Sequence, residues 1–145
     1  MLQATECVMV GSRFLLRAAL AASISGFAGA GFALATDTEF PFDGELRLDA
    51  DPMPGSKRVP SMDIAANGAI VLEMWCNRVE GQVIVAADTI TVLTGQPTDR
   101  SCPPARAAAD TDLLAALAEV TNWQRLDDIV MLTGGRTLRF RVPTN

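Results

Sequence analysis

Three arginines, Arg136, Arg139 and Arg141, make the end of the chain basic, whereas the whole protein of 145 residues has a formal net charge of −5. Guanidinium groups bind carboxylates and phosphates through paired hydrogen bonds. This cluster is therefore a candidate surface for an anionic group or a partner protein. The alternative, which we favour, is a solvated strand face that discourages edge-to-edge aggregation. Lys57 and Arg58 form a second, equally ambiguous positive spot.

Two pairs of nearby carboxylates, Asp49 with Asp51 and Asp127 with Asp128, could in principle bind a cation. Each pair lies where the sequence pattern predicts a turn. Aspartate is favoured in turns because its side chain hydrogen-bonds to nearby backbone, so turn formation is the preferred interpretation. The spacing also gives no support for the separated carboxylates that glycoside hydrolysis uses.

Histidine is absent from the sequence, which removes Ser-His and Cys-His nucleophile pairs, His-ligated zinc and the usual general base near neutral pH. The sequence contains no nucleophile elbow, Walker loop, C-x-x-C or G-x-G-x-x-G motif. An acidic chain with a single lysine also lacks the positive surface of a nucleic-acid-binding protein. We therefore expect no enzymatic activity, no catalytic residues, no cofactor, no metal and no nucleic-acid partner.

The N-terminal segment, residues 1–35, is typical of a secretory signal peptide. Arg13 and Arg17 provide its positive region, and residues 18–35 contain no charged side chain. The segment ends in Ala-Leu-Ala, a small-x-small pattern that signal peptidase accepts, so we expect cleavage before Thr36. The expected localisation is periplasmic or secreted, with membrane contact only during export. The alternative is an uncleaved membrane anchor, because the uncharged stretch approaches the length of a spanning helix.

Cys7 belongs to the segment expected to be removed, which leaves Cys76 and Cys102 in the exported protein. Two cysteines in an oxidising compartment most economically form one disulfide. Closing this loop would stabilise the fold by about 3.5 kcal/mol in the chain-entropy model. The alternative is a reactive thiol at Cys102, just before a predicted helix whose N-terminus would favour the thiolate. Without a histidine partner, the disulfide is the favoured interpretation.

Short alternating runs of apolar and polar residues, bounded by turn residues, predict antiparallel β-strands in the rest of the chain. Asn67-Gly68 is a strong hairpin signal. The two tryptophans, Trp75 and Trp123, are expected in the core or at a barrel rim rather than stacked on a ligand. The predicted strands cover residues 42–48, 62–65, 69–75, 82–86, 89–93, 122–126, 129–133 and 138–142.

One helix is predicted between the fifth and sixth of these strands. Ser101 is the expected N-cap, and Pro103 and Pro104 suit the first turn, where no backbone donor is needed. Asp110 and Asp112 could instead start a second helical piece after a kink. Four apolar residues at helical spacing form one core-facing stripe: Leu113, Leu114, Leu117 and Val120.

A series of residues that begins with Trp75, Cys76 and Asn77 continues in a fixed order through most of the chain. It comprises those three residues, Gly81 before a short hairpin, Thr98-x-x-x-Cys102, an acidic Leu-rich helix, Trp123, Leu132 and Leu138-Arg139-Phe140. In this order and spacing the series resembles the META domain (HslJ-like) family over about residues 42–142. The chain departs from the family pattern at Trp75, where the family usually has glycine.

The resemblance implies an α+β fold, predominantly antiparallel β, with a small, partly barrel-like sheet and one α-helix. It also implies an envelope-associated role, linked to stress in some members, and no catalytic residue or cofactor. We therefore expect residues 36–145 to be a non-enzymatic META-type domain that binds an unidentified protein or envelope component. The alternative is a small β-barrel inhibitor or ligand-binding module, with residues 36–41 and 52–60 as contact segments. A deep apolar barrel mouth would favour ligand binding, and a filled interior would favour protein interaction.

Overall fold

The computed structural model describes residues 39–144, so the predicted signal peptide at 1–35, with Cys7 and the cleavage point before Thr36, lies outside the described residues. Within residues 39–144, no helix is both long and apolar enough to cross a membrane. The strands are β1 (Gly44–Leu48), β2 (Ser61–Ile64), β3 (Ala69–Glu73), β4 (Arg78–Ala86), β5 (Thr89–Thr94), β6 (Asn122–Leu126), β7 (Ile129–Thr133) and β8 (Leu138–Arg141). The helix α1 covers Pro104–Ala118, between β5 and β6.

The eight strands form a closed barrel in which each strand pairs antiparallel with the next. β8 closes the barrel against β1 through Arg47 opposite Arg141 and Leu48 opposite Phe140. The pairing of β5 with β6 is reduced to Thr89 opposite Asn122, because the chain leaves the sheet to form α1 between these two strands. The predicted α+β fold with a barrel-like sheet and one helix is confirmed, and the sheet closes completely.

The interior of the barrel is filled by alternate side chains of the strands. Phe140, Leu46 and Met62 are completely buried, as expected for inward-facing positions of a small barrel. Trp123 is also buried; its indole Nε1 donates to the backbone oxygen of Ala87 at 2.8 Å. The inward-facing side chains thus occupy the interior of the barrel.

Three hairpin turns contain a residue with positive φ: Gly68 between β2 and β3, Ala87 between β4 and β5, and Asp127 between β6 and β7. Gly68 has φ +80°, and a Cβ there would lie 2.5 Å from the backbone oxygen of Val83. Glycine is therefore required at the Asn67-Gly68 turn both by its conformation and by the close approach of β4. Asp127 adopts φ 54° in the β6–β7 turn, in agreement with the turn interpretation of the Asp127-Asp128 pair.

The helix start differs from the prediction. The N-cap residue is Pro103, with no capping side-chain hydrogen bond, and the expected cap Ser101 lies two positions upstream. Pro104 in the first turn has no N–H, so one of the donors that a cap would satisfy is missing. The proposed break near Asp110 and Asp112 is also wrong, since α1 is continuous. The apolar stripe is confirmed: Leu113, Leu117 and Val120 are buried and Leu114 packs against the core.

Candidate binding cleft

The bend between β3 and β4, residues 74–77, carries the first part of the family pattern and is fixed by one carboxylate of α1. Asp110 Oδ1 accepts hydrogen bonds from the backbone N–H of Trp75 at 2.8 Å and of Cys76 at 3.3 Å. Its Oδ2 accepts from the backbone N–H of Asn77 at 2.8 Å. Asp110 is 3% exposed and is the only buried charged residue of the described chain. It therefore attaches the helix to this bend.

Asn77 attaches the same bend to the segment between β5 and α1. Its Oδ1 accepts from Thr98 Oγ1 at 3.1 Å and from the backbone N–H of Arg100 at 3.1 Å. Thr98 Oγ1 in turn accepts from the backbone N–H of Arg78 at 3.0 Å. Residues 95–103 contain neither helix nor strand, so side-chain contacts such as these hold the segment in place.

Cys76 and Cys102 form the disulfide that the sequence predicts, across 26 positions of the chain. Both thiols are consumed by this bond, so the alternative of a reactive thiol at Cys102 does not apply to the structure. The side-chain amide of Asn77 lies 3.4 Å from the Cys102 sulfur. Disulfide and hydrogen bonds thus connect the same two segments.

Gly81, the next residue of the family pattern, also has a structural role. A Cβ at this position would lie 2.2 Å from the backbone oxygen of Leu93 on β5. Only glycine allows β4 and β5 to approach each other in this way. The family residues described above therefore have structural roles: they hold the β3–β4 bend, β4 and the segment before α1 in place.

Asp110 was not identified from the sequence as a structural residue. It precedes Leu113 and Leu117 by three and seven positions, so all three lie on one helix face. Its position within the apolar stripe is the sequence feature that indicates this role. A carboxylate on a core-facing side of a helix becomes buried, and a buried carboxylate requires several hydrogen-bond donors.

An open cleft of about 610 Å³ lies beside the β3–β4 bend. It is bordered by the β3–β4 bend, the loop before β2, the segment before α1 and the first turn of α1. Trp75 is half-buried and borders the cleft, whereas Trp123 lies in the core. The charged residues that border the cleft are Glu45, Arg47, Lys57, Arg58, Glu73, Arg100 and Arg106.

Both acidic residues of the cleft are paired. Arg47 Nε lies 2.9 Å from Glu45 Oε1, and this hydrogen bond, together with the charge of Glu45, raises the pKa of the Arg47 guanidinium. Glu73 lies 3.7 Å from Arg78 Nε. The other four cations, Lys57, Arg58, Arg100 and Arg106, form no ion pair within residues 39–144.

Two of these four cations are held by neutral backbone oxygens. Arg100 Nη1 donates to the backbone oxygen of Cys76 at 3.4 Å, and Arg106 Nη2 donates to that of Pro54 at 3.3 Å. A carbonyl orients a guanidinium without cancelling its charge. The first turn of α1, which contains Arg106, has no acidic residue, so the positive end of the helix adds to the potential.

The loop that carries Lys57 and Arg58 is braced internally. Ser56 Oγ accepts from the backbone N–H of Arg58 at 3.2 Å and donates to its backbone oxygen at 3.0 Å. The backbone N–H of Ser56 donates to the oxygen of Met53 at 2.8 Å. The two exposed cations are thus presented from a defined backbone, although this loop contains no regular secondary structure.

The predicted basic cluster at the end of the chain, Arg136, Arg139 and Arg141, does not border the cleft. Arg139 and Arg141 share the outer face of β8, and Asp49 lies 3.7 Å from the first and 2.9 Å from the second. The hydrogen bond and charge of Asp49 raise the pKa of Arg141. Arg136 donates instead to the backbone oxygen of Asp112 on α1. The two β8 arginines are therefore compensated locally, unlike the cations of the cleft.

Asp49 is engaged in ion pairs with arginine rather than in a cluster of acids. Across residues 39–144, no three histidine, cysteine, aspartate or glutamate residues are grouped as a metal site requires. The guanidinium and ammonium groups that border the cleft are donors that can bind negatively charged groups.

Comparison with known proteins gives one family and several similar folds. The family model of the META domain matches residues 41–144. An NMR structure of a protein from Burkholderia xenovorans is similar with a TM-score of 0.59 and 17% identity, over 72% of this chain and 84% of that one. The crystal structure of a duf4847 family protein from Bacteroides vulgatus is similar with a TM-score of 0.52 and 11% identity, over 68% and 92%. No curated protein matches the sequence.

Proposed function

We propose that this chain, which belongs to the META domain family, is a non-enzymatic binding domain of the cell envelope that holds an anionic partner in its basic cleft. The observation that carries the proposal is the group of four cations that border one cleft of an acidic protein and have no carboxylate partner among residues 39–144. A stress-related role in the envelope, as the family resemblance implies, would be exerted through this binding.

The charge distribution favours local recognition of a negative group. Cations that border a cleft produce a stronger potential there than the same charges would on a convex surface, because the protein walls have a low dielectric constant. Arg100 and Arg106 are oriented before the partner arrives, so less conformational entropy is lost on binding. Both features favour an anionic partner.

A second candidate function is inhibition of an enzyme by the loop at residues 52–60. The internal bracing of this loop by Ser56 favours it, since inhibitors present a rigid segment to their target. The two functions are separable by mutation. Inhibition through the loop would depend on Lys57 and Arg58 but not on Arg100 and Arg106, whereas binding in the cleft requires all four.

Export of the protein is the second part of the proposal. The disulfide between Cys76 and Cys102 supports an oxidising compartment. When the full-length chain is expressed, we expect processed protein that begins at Thr36 and contains no free thiol. Mass spectrometry and thiol titration of the fractionated cells measure both properties. Protein that retains Met1 and stays in the membrane fraction would contradict cleavage and favour the anchor.

Replacement of Lys57 and Arg58 by alanine is expected to reduce binding to envelope material about tenfold, because two exposed charges that each contribute up to about 1 kcal/mol change the affinity by at most about thirtyfold. The measurement compares capture of envelope components by the immobilised wild-type and variant proteins at low ionic strength. The matched control is Arg125→Ala with Arg139→Ala, which removes the same charge outside the cleft. Equal capture by the cleft variant and the wild type, or no capture by the wild type, would contradict the proposal.

A further inference from the structure

We infer that the group bound in the basic cleft is a compact phosphoryl group carried on a sugar. This inference rests on the proposed function of the cleft and specifies the chemistry of its ligand. It is argued from the number of uncompensated cations, from their placement on separate segments, and from the aromatic residue beside them.

The number of cations favours a multiply charged ligand. Four positive side chains border the cleft, and none of them has a carboxylate partner in the described part of the chain. A single carboxylate carries one negative charge and would leave most of the positive charge of these four side chains uncompensated. A phosphomonoester carries about 1.5 to 2 negative charges at neutral pH and three acceptor oxygens.

The placement of the cations favours a tetrahedral rather than a planar group. Lys57 and Arg58 lie on the loop before β2, Arg100 on the segment before α1, and Arg106 in the first turn of α1. Donors on three separate segments can approach the three terminal oxygens of a phosphoryl group from different sides. A carboxylate presents its lone pairs in one plane and suits a single guanidinium fork better.

The overall charge limits the length of the ligand. A long polyanion would extend beyond the cleft over a protein with net charge −5. Charges act over only about 8 Å at physiological ionic strength, so the four cations attract only groups that are close to them. A cleft of about 610 Å³ is within the usual size range for small-molecule sites.

Trp75 suggests the carrier of the phosphoryl group. It is half-buried, borders the same cleft, and its neighbours Cys76 and Asn77 are fixed by Asp110. The backbone of Trp75 is held by Asp110, and its half-buried indole offers an apolar surface to a sugar ring while the cations bind the charged substituent. Free sugar phosphates and phosphorylated envelope glycolipids share this chemistry.

Calorimetric titration of the purified protein with glucose 6-phosphate, glucuronate and glucose tests the inference, because these probes share a sugar ring and differ in charge. We expect glucose 6-phosphate to bind at least tenfold more tightly than glucuronate, and glucose not to bind. Arg106→Gln should weaken glucose 6-phosphate binding at least tenfold, whereas Arg139→Gln should leave it unchanged. Phosphatidylcholine vesicles with and without lipid A then distinguish a glycolipid from a soluble source.

The outcomes separate this inference from the proposed function. Glucuronate binding as tightly as glucose 6-phosphate, or no binding of either probe, would overturn the phosphoryl assignment. Capture of envelope material that depends on Lys57 and Arg58 would still stand in that case. Loss of that dependence would overturn the proposed function itself.

Discussion

Asp110→Ala is expected to lower the free energy of unfolding by about 4 kcal/mol or more, because the buried carboxylate accepts three backbone hydrogen bonds and each bond to a charged group contributes about 1.5 kcal/mol. The variant leaves the N–H groups of Trp75 and Asn77 without their acceptor in a part-buried position. It also detaches α1 from the β3–β4 bend. For a domain of this size, the melting temperature should fall by at least about 10 °C.

Urea denaturation of Asp110→Ala, Asp110→Asn and Asp112→Ala measures this effect. The asparagine variant keeps one acceptor and should lose less stability than the alanine variant. Asp112 lies on the same helix with an exposed side chain, so its replacement by alanine should change the stability by no more than about 0.5 kcal/mol. A loss below 1 kcal/mol for Asp110→Ala would show that the hydrogen bonds to this carboxylate do not stabilise the bend.

Removal of the disulfide is expected to cost about 2–4 kcal/mol, since the bond closes a loop of the unfolded chain across 26 positions. The loop contains β4 and β5 and the irregular segment at 95–103. The hydrogen bonds between Arg78, Thr98 and Asn77 do not involve either sulfur atom, so we expect a destabilised but folded domain. Because Arg100 is held by the backbone oxygen of Cys76, the same change should weaken binding in the cleft.

Unfolding of the double variant Cys76→Ala with Cys102→Ala, compared with oxidised and reduced wild type, tests this prediction. The reduced wild type controls for the altered side chains, because it differs from the oxidised protein only in the bond. Both should unfold at a lower urea concentration than the oxidised protein. Identical midpoints for the oxidised and reduced proteins would contradict a stabilising role.

Local patterns were sufficient to predict most of the fold. Alternation and turn residues located all eight strands with errors mainly at their ends, and β6 and β7 were predicted with their observed bounds. The apolar stripe of α1 was predicted for the same reason: burial of one face imposes a period on the sequence. The N-cap was predicted incorrectly because Pro104 changes the requirement for a capping acceptor.

The cleft could not be predicted because its members are distant in the sequence. Lys57 and Arg58 were recognised as a positive spot, but nothing local connects them with Arg100 and Arg106. The connection is made by closure of the barrel, the disulfide and the bond from Arg106 to Pro54. Conversely, Arg139 and Arg141 formed a clear cluster in the sequence, and the fold places Asp49 beside both. Uncompensated charge is a property of the tertiary structure.

The most direct test of binding in the cleft is an NMR titration of the isotope-labelled protein with glucose 6-phosphate and, separately, with glucuronate. We expect the amide signals of Lys57, Arg58, Arg100 and Arg106, the guanidinium signals of the three arginines and the indole signal of Trp75 to shift in a saturable and salt-sensitive way with at least one probe. Signals of Arg139 and Arg141 should remain unchanged. Shifts confined to Arg139 and Arg141 would contradict the account, and no saturable shift in the cleft with either probe would overturn the phosphoryl assignment.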